Sequence, residues 1–432
     1  MQRLIGALHR FLDDIWGRAA LVVLGCLLAQ MGLAYGYVFP ALARDILGEM
    51  GWSRSEFSFA RLPQLAAMAA ASPFVGLLSV RYGARRVIVC SILLLGSVFL
   101  LFPRVEDLYA YYALMMVAGL ALTGVGDITV SHAVSQWVIR SRGFALGIVY
   151  AGSNLGGVLL VPAIVAISAE SDWRNALFFM GLGAFGLLLP AAGLLIRERT
   201  KAERSVAAAT APAGGATSSR IETDADLSLR AALRTRSFWI LFFSLFAFFF
   251  YFLALLEHMV LHFTDHGMER DDAVRLYATA IGLGIWSKLL LGLVADRIPE
   301  KQSMLIDYAA LALSSLVLLV APTSALAWLF VISFGFSYAA RDVVYPLIVS
   351  ACFGARWMAP IYGALMPTLL LGASGPLFAA AIHDRSGSYD LAFQIFALLN
   401  ALALVALFFL RDERRVRPEN MASASEDIDT QR

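Results

Sequence analysis

Apolar residues gather in twelve long blocks along the chain, and most charged residues lie in the intervals between them. A membrane-crossing helix needs about 20 mainly apolar residues. Blocks that meet this requirement lie at 19–43, 57–79, 87–103, 108–136, 143–168 and 174–196. After a polar interval they resume at 237–262, 273–295, 303–321, 324–350, 358–382 and 388–410. The pattern predicts an all-α polytopic membrane protein whose twelve transmembrane helices are grouped six and six.

The polar intervals give an orientation. One set of connections is basic: Arg81, Arg85 and Arg86; Arg140 and Arg142; Arg197, Arg199, Lys201 and Arg204; Arg297 and Lys301; Arg356. The end of the chain adds Arg411, Arg414, Arg415 and Arg417 to that side. The alternate set is acidic, with Asp45, Glu49, Glu106, Asp107, Glu170, Asp172, Asp265, Glu269, Asp271 and Asp272. Basic loops stay on the cytoplasmic side, so both termini are expected there, in a plasma (bacterial inner) membrane. Residues 1–18 read as a cytoplasmic amphipathic segment with no cleavable signal. Residues 19–196 and 237–410 are the two membrane halves, joined by a cytoplasmic linker at 197–236. Within it, Ser205 to Arg220 is low in complexity and expected to be flexible, and Leu227 to Arg236 to resume as a helix along the membrane surface. Residues 411–432 form a polar cytoplasmic tail.

Composition strengthens this picture and excludes others. The chain is 59% hydrophobic and 15% charged, whereas a soluble domain is roughly a quarter charged. The net charge of +2, with its basic residues spread over short loops, does not suit nucleic acid. Cys26, Cys90 and Cys352 lie in apolar runs without metal-ligand spacing, so no metal and no cofactor are expected. HExxH, nucleophile-elbow and GxxxxGK[ST] patterns are absent, which removes the residues that an enzyme or an ATP-driven pump would need.

The two halves echo each other. GLLSVRYGARR (Gly76 to Arg86) follows the second block, and GLVADRIPEK (Gly292 to Lys301) follows the eighth. Each is a Gly-started helix end leading into a tight basic turn, six spans apart. This recurrence resembles the loop signature of the major facilitator superfamily, here carried by Gly76, Arg81, Gly83 and Arg85, then Gly292, Asp296 and Arg297. Val80 stands where that signature has Asp. RGFALGIVYAGSNLGG (Arg142 to Gly157) and GWSRSE (Gly51 to Glu56) are similar to the monocarboxylate and oxalate/formate porter branch. The resemblance implies two six-helix bundles, a substrate site between them near the midplane, and a single chain that encloses a complete pathway, hence a monomer.

Charges inside the spans are the candidate chemistry, since each costs about 2.5–3.5 kcal/mol at mid-membrane on insertion scales. Asp127, Lys288, Arg341 and Asp342 are so placed. Lys288 lies roughly 13 Å above Arg297 at 1.5 Å per residue. It stands four residues ahead of the loop Gly292, where the resemblance implies a basic residue that holds a substrate carboxylate. Arg341 lies roughly 22 Å from Arg356; it is a second anion contact or half of an inter-half ion pair with Asp127. Asp127 is the proton-titrating candidate, with Asp342, Glu257 and His132 as further proton-coupling candidates. Glu257, His258 and His262 otherwise read as a polar cluster at the outer end of the seventh span, and the Phe246–Phe252 run as packing or lipid contact. Gln30, Tyr35, Asn154 and Tyr338 could line a cavity. The expected function is secondary transport of a small organic anion, proton-coupled or by exchange. The alternative is a carrier of a neutral or aromatic compound with the charges acting as gates.

Overall fold

A computed structural model describes residues 17–138, 141–199, 203, 226–320 and 324–414. The expected amphipathic N-terminus, the low-complexity part of the linker and most of the tail lie outside these residues. Among the described residues, twelve helices are long and apolar enough to cross a membrane. They are α1 (Arg18–Met50), α2 (Glu56–Tyr82), α3 (Ala84–Arg104), α4 (Leu108–Trp137), α5 (Arg142–Glu170) and α6 (Trp173–Leu195). Then follow α7 (Arg236–Asp265), α8 (Arg275–Ala295), α9 (Glu300–Val320), α10 (Leu326–Phe353), α11 (Met358–Ser386) and α12 (Asp390–Leu407). Each sequence block lies within or against one of these helices.

The largest departure is in α1, which runs to Met50 rather than ending near 43. Hydropathy alone assigns Asp45 and Glu49 to a loop. In the fold the helix carries on because its acids find partners: Ser168 donates to Asp45 at 2.9 Å, and Trp173 and Arg174 donate to Glu49 at 2.6 and 3.0 Å. The GWSRSE segment then starts α2 through reciprocal capping. The Glu56 amide donates to the Ser53 hydroxyl at 3.2 Å, and the Ser53 amide donates to the Glu56 carboxylate at 2.8 Å. Of the helix expected over Leu227 to Arg236, the structure shows a short one at Leu229–Ala232, capped by Ser228, before α7 begins at Arg236.

The buried side chains form two hydrophobic cores. One is drawn from α1 to α6 and includes Phe99, Tyr111 and Leu146; the other, from α7 to α12, includes Phe248, Tyr251 and Phe334. A few residues cross between them: Ile128 of α4 joins the second core, and Val343 and Leu347 of α10 join the first. This is the seam between the halves. Small residues let backbones cross there. A Cβ on Gly147 would strike the Lys288 carbonyl, and one on Gly143 would strike that of Gly292, so α5 and α8 touch almost backbone to backbone. Gly76 against Ala359, and Gly363 against Ser72, do the same for α2 and α11.

The loop signatures sit at the Arg-rich end of this seam. Gly83 has φ 95° and starts α3, a conformation that suits Gly. Arg85 donates to the Gly193 carbonyl, Arg81 lies over the Tyr82 ring, and Arg297 donates to the Leu293 carbonyl at 2.9 Å. Asp296 accepts from the amides of Gly143 and Phe144 at 2.6 and 3.0 Å. A carboxylate of the second half thus caps the first turn of α5 in the first half, where amides and helix dipole both favour an anion. Arg142 adds a bond to Ser350 at 2.8 Å. At the other crossing Val80 has no carboxylate, and α11 starts with no side-chain cap. Asp296→Ala should therefore weaken the α5/α8 end of the seam by about 0.5–2 kcal/mol. A lower melting temperature and faster maleimide labelling of Cys at position 350, in a background lacking the native cysteines, are the expected readouts; unchanged values would show that the cap does not hold the halves together.

Candidate functional site

The centre of the seam is built around Lys288. Its side chain does not run toward the Arg-rich end to reach water. It is 3% exposed and turns inward, because Gly147 brings α5 against the Lys288 backbone and offers acceptors close by. The ammonium donates to the Tyr150 carbonyl at 3.0 Å, to Asn154 Oδ1 at 2.8 Å and to the Ser153 hydroxyl at 3.3 Å, all on α5. On its own side it pairs with Asp342 of α10 at 3.0 Å. One cation therefore ties both halves. Of the two glycines flanking it on α8, Gly292 faces α5, and Gly284 faces Tyr338 and Ala339 of α10.

Asp342 carries a second cation, Arg341, in a direct ion pair. The guanidinium also lies 5.0 Å from the ring centroids of both Phe248 and Phe249. Part of the phenylalanine run of α7 therefore faces inward as a platform for a cation, not outward to lipid. Arg341 is 9% exposed, and its Nε has no hydrogen-bond partner among the described residues.

Asp127 stands across the seam on α4. The helix breaks immediately before it: Gly126 takes an extended ψ of −170°, and helix restarts at Asp127. Irregular backbone at membrane depth is tolerated where protein or a wet cavity covers it. Gln30 of α1 donates to the Asp127 carboxylate at 2.8 Å, and the Tyr150 hydroxyl donates to its carbonyl at 3.2 Å. Asp127 lies within the fields of Asp342, Arg341 and Lys288, yet among the described residues it makes no ion pair within 4 Å. The ion pair that Arg341 makes is with its neighbour Asp342, not with Asp127 in the opposite half.

The centre thus brings together Lys288, Arg341, Asp342, Asp127, Gln30 and Asn154. Other sequence candidates lie elsewhere. Tyr35 donates to the Met180 carbonyl at 2.8 Å and packs on Phe99, inside the core of the first half. Tyr338 donates to the Ile281 carbonyl at 2.7 Å and stacks on Phe252 between α7, α8 and α10. In both, a backbone carbonyl takes up the hydroxyl that a cavity would have used. Glu257 is exposed. His258 bonds the Pro376 carbonyl at 3.0 Å and Tyr389 at 3.2 Å near the acidic end of the seam's second half. His132 meets Gln136 at 3.2 Å, one turn and more beyond Asp127.

Several participants were not singled out by sequence. Tyr150 and Ser153 are ordinary residues of a glycine-rich helix until α8 approaches. Asp307 of α9 is 2% exposed and lies six residues after Lys301 in the sequence. Tyr308, Tyr345 and Ser244 form a chain of hydroxyls at 2.6 and 2.8 Å beside Arg341. Three fully buried tyrosines, Tyr308, Tyr345 and Tyr362, stand in this part of α9, α10 and α11.

Comparison with known proteins identifies the family. Residues 22–374 match the family model of the Major Facilitator Superfamily. Mouse monocarboxylate transporter 11 is 32% identical over 189 residues, a stretch that covers 43% of this chain and 41% of that one. A probable sulfoacetate transporter of Cupriavidus necator is 25% identical, covering 89% of this chain and 86% of the relative. The oxalate:formate antiporter of Oxalobacter formigenes is 24% identical, covering 90% of each. Among solved structures, the proton:xylose symporter XylE bound to 6-bromo-6-deoxy-D-glucose superposes with a TM-score of 0.71 at 14% identity. The match covers 94% of this chain and 99% of XylE, a likeness of fold. The chain belongs to the Major Facilitator Superfamily and is an integral membrane transporter, not an enzyme.

Proposed function

We propose that the protein carries a small organic anion, a mono- or dicarboxylate, by alternating access at the Lys288 cluster. The observation that supports this is the imbalance of charge there. Two cations, Lys288 and Arg341, share one acid, Asp342, while the second acid, Asp127, has an amide as its partner. With Asp127 protonated, the centre holds one more positive than negative charge, and a carboxylate would balance it. Substrate and proton would then enter together, or a second anion would replace the first. Relatives named for monocarboxylates, sulfoacetate and oxalate:formate exchange agree with such cargo. The chain would work as a monomer in the plasma (bacterial inner) membrane, its termini and arginine-rich loops in the cytoplasm. The inter-half links described above all lie between the centre and the Arg-rich end, so this conformation would admit substrate from the acidic side.

A thermal-shift panel tests the substrate class. A ligand that binds only the folded state raises the melting temperature. Oxalate, formate, lactate or sulfoacetate should do so, and Lys288→Ala should weaken that binding by about 1.5–3 kcal/mol, roughly 10- to 150-fold in Kd. Stabilisation by neutral aromatics alone, untouched by Lys288→Ala, would make the charges gates and sink the anion reading.

Asp127→Asn separates coupling from binding. In proteoliposomes it should keep counterflow exchange of the stabilising carboxylate but lose accumulation driven by a pH gradient. Accumulation at the wild-type level would remove Asp127 from the proton path.

A further inference from the structure

Outside the central cluster, α9 carries a second buried acid for which the transport scheme has no use. Asp307 is 2% exposed; among the described residues its side chain makes no hydrogen bond and no ion pair within 4 Å, and Oδ1 is fully enclosed without a partner. An ionised carboxylate in such a place is costly, and a group so placed neutralises instead. Arg341, on the adjacent α10, has the complementary defect: its Nε is enclosed and has no acceptor. Among the described residues, the charged groups whose fields reach Asp307 are Arg341 and Asp342.

We propose that Asp307 is a second proton-binding site, neutral in this conformation, and that its carboxylate becomes an alternative partner for Arg341 once the proton leaves to water. Deprotonation would draw the guanidinium from Asp342 toward α9, and release Asp342 to Lys288 alone. The proton would thus control which acid holds Arg341, and so how much positive charge faces the seam. This deepens the proposed function, on which it rests for the role of Arg341 in the site.

The other groups around Asp307 are committed elsewhere. On α9, Tyr308 bonds Tyr345 of α10, which in turn bonds Ser244 of α7; Tyr251 of α7 bonds Ser314. Lys288 of α8 is held by Asp342 and the acceptors of α5. Lys301, six positions back along α9, donates to the carbonyls of Phe408 and Leu410. From α12, Asn400 is buried, and its side-chain amide has no partner among the described residues. The Lys301 contacts set the register of α9 on α12 and bring Asn400 level with Asp307 to within about one helical turn. On α12 the titratable Asp390 stands at the opposite end.

Infrared difference spectra of the purified protein between acid and alkaline pH test the site without any substrate, so their outcome does not depend on the cargo. Recorded in an Asp127→Asn background, they should contain a protonated-carboxyl band that Asp307→Asn deletes. Should that variant fail to fold, Asp307→Glu should move the band instead. A band left in place by whichever variant folds would overturn the assignment. Arg341→Gln, which removes the cation that favours the ionised form, should make the band persist to higher pH. A band that titrates as in the parent would show that Arg341 is not the alternative partner.

Discussion

A charge buried at membrane depth persists only where another group compensates it, and Asp342 does this for two cations at once. Lys288 and Arg341 lie on different helices of the second half, and both are closed off from solvent. Removing Asp342 would leave two unpaired cations; removing one cation would alter the hold on the other. Lys288 then extends the cluster across the seam to α5. Any movement of the halves that parts α5 from α8 must therefore break these bonds and leave the ammonium short of acceptors. A bound anion on the same cation would supply the missing partner, which is how binding and rearrangement can be linked without a distant relay.

The backbone makes that arrangement reachable. Lys288 finds α5 because Gly147 lets the helices meet at the level of the lysine carbonyl; a larger residue would hold the ammonium away from Asn154. Asp127 faces the same centre because α4 breaks at Gly126. The break frees the helix restarting at Asp127 from the direction of the one before it. It lies where both halves cover it, as irregular backbone in a membrane requires.

The twelve helices were legible because hydropathy reports directly on length in lipid, and the loop signatures marked the two symmetric crossings. The outward end of α1 was not, since Asp45 and Glu49 look like loop residues until Ser168, Trp173 and Arg174 meet them. Asp127, Lys288, Arg341 and Asp342, which the fold brings together at the candidate site, stand out in the sequence by their cost in the membrane. Aromatic hydroxyls were less so: Tyr35 and Tyr338 looked like cavity residues, but each had a backbone carbonyl within reach that no one-dimensional pattern reveals. Asp307 was lost for the opposite reason. It follows a polar helix start, where an acid is unremarkable, and only the packing of α9 against α10 and α12 makes it buried.

The unequal loop signatures have a mechanical meaning. At the α5/α8 crossing the Asp296 carboxylate caps a helix of the opposite half, while the α2/α11 crossing, with Val80, relies on close contact through Gly76 and Gly363. A cap contributes about 0.5–2 kcal/mol, and one or two kcal/mol is a factor of about 5–30 in a population. In the proposed transport cycle, one such latch would bias the carrier toward a state closed at its Arg-rich end. Two would multiply the bias and make that state harder to leave, unless the substrate favoured the other state by as much. Replacing one aspartate by valine is therefore compatible with a carrier whose cargo offers few contacts, as a small carboxylate does, because less differential binding is then needed to move the equilibrium.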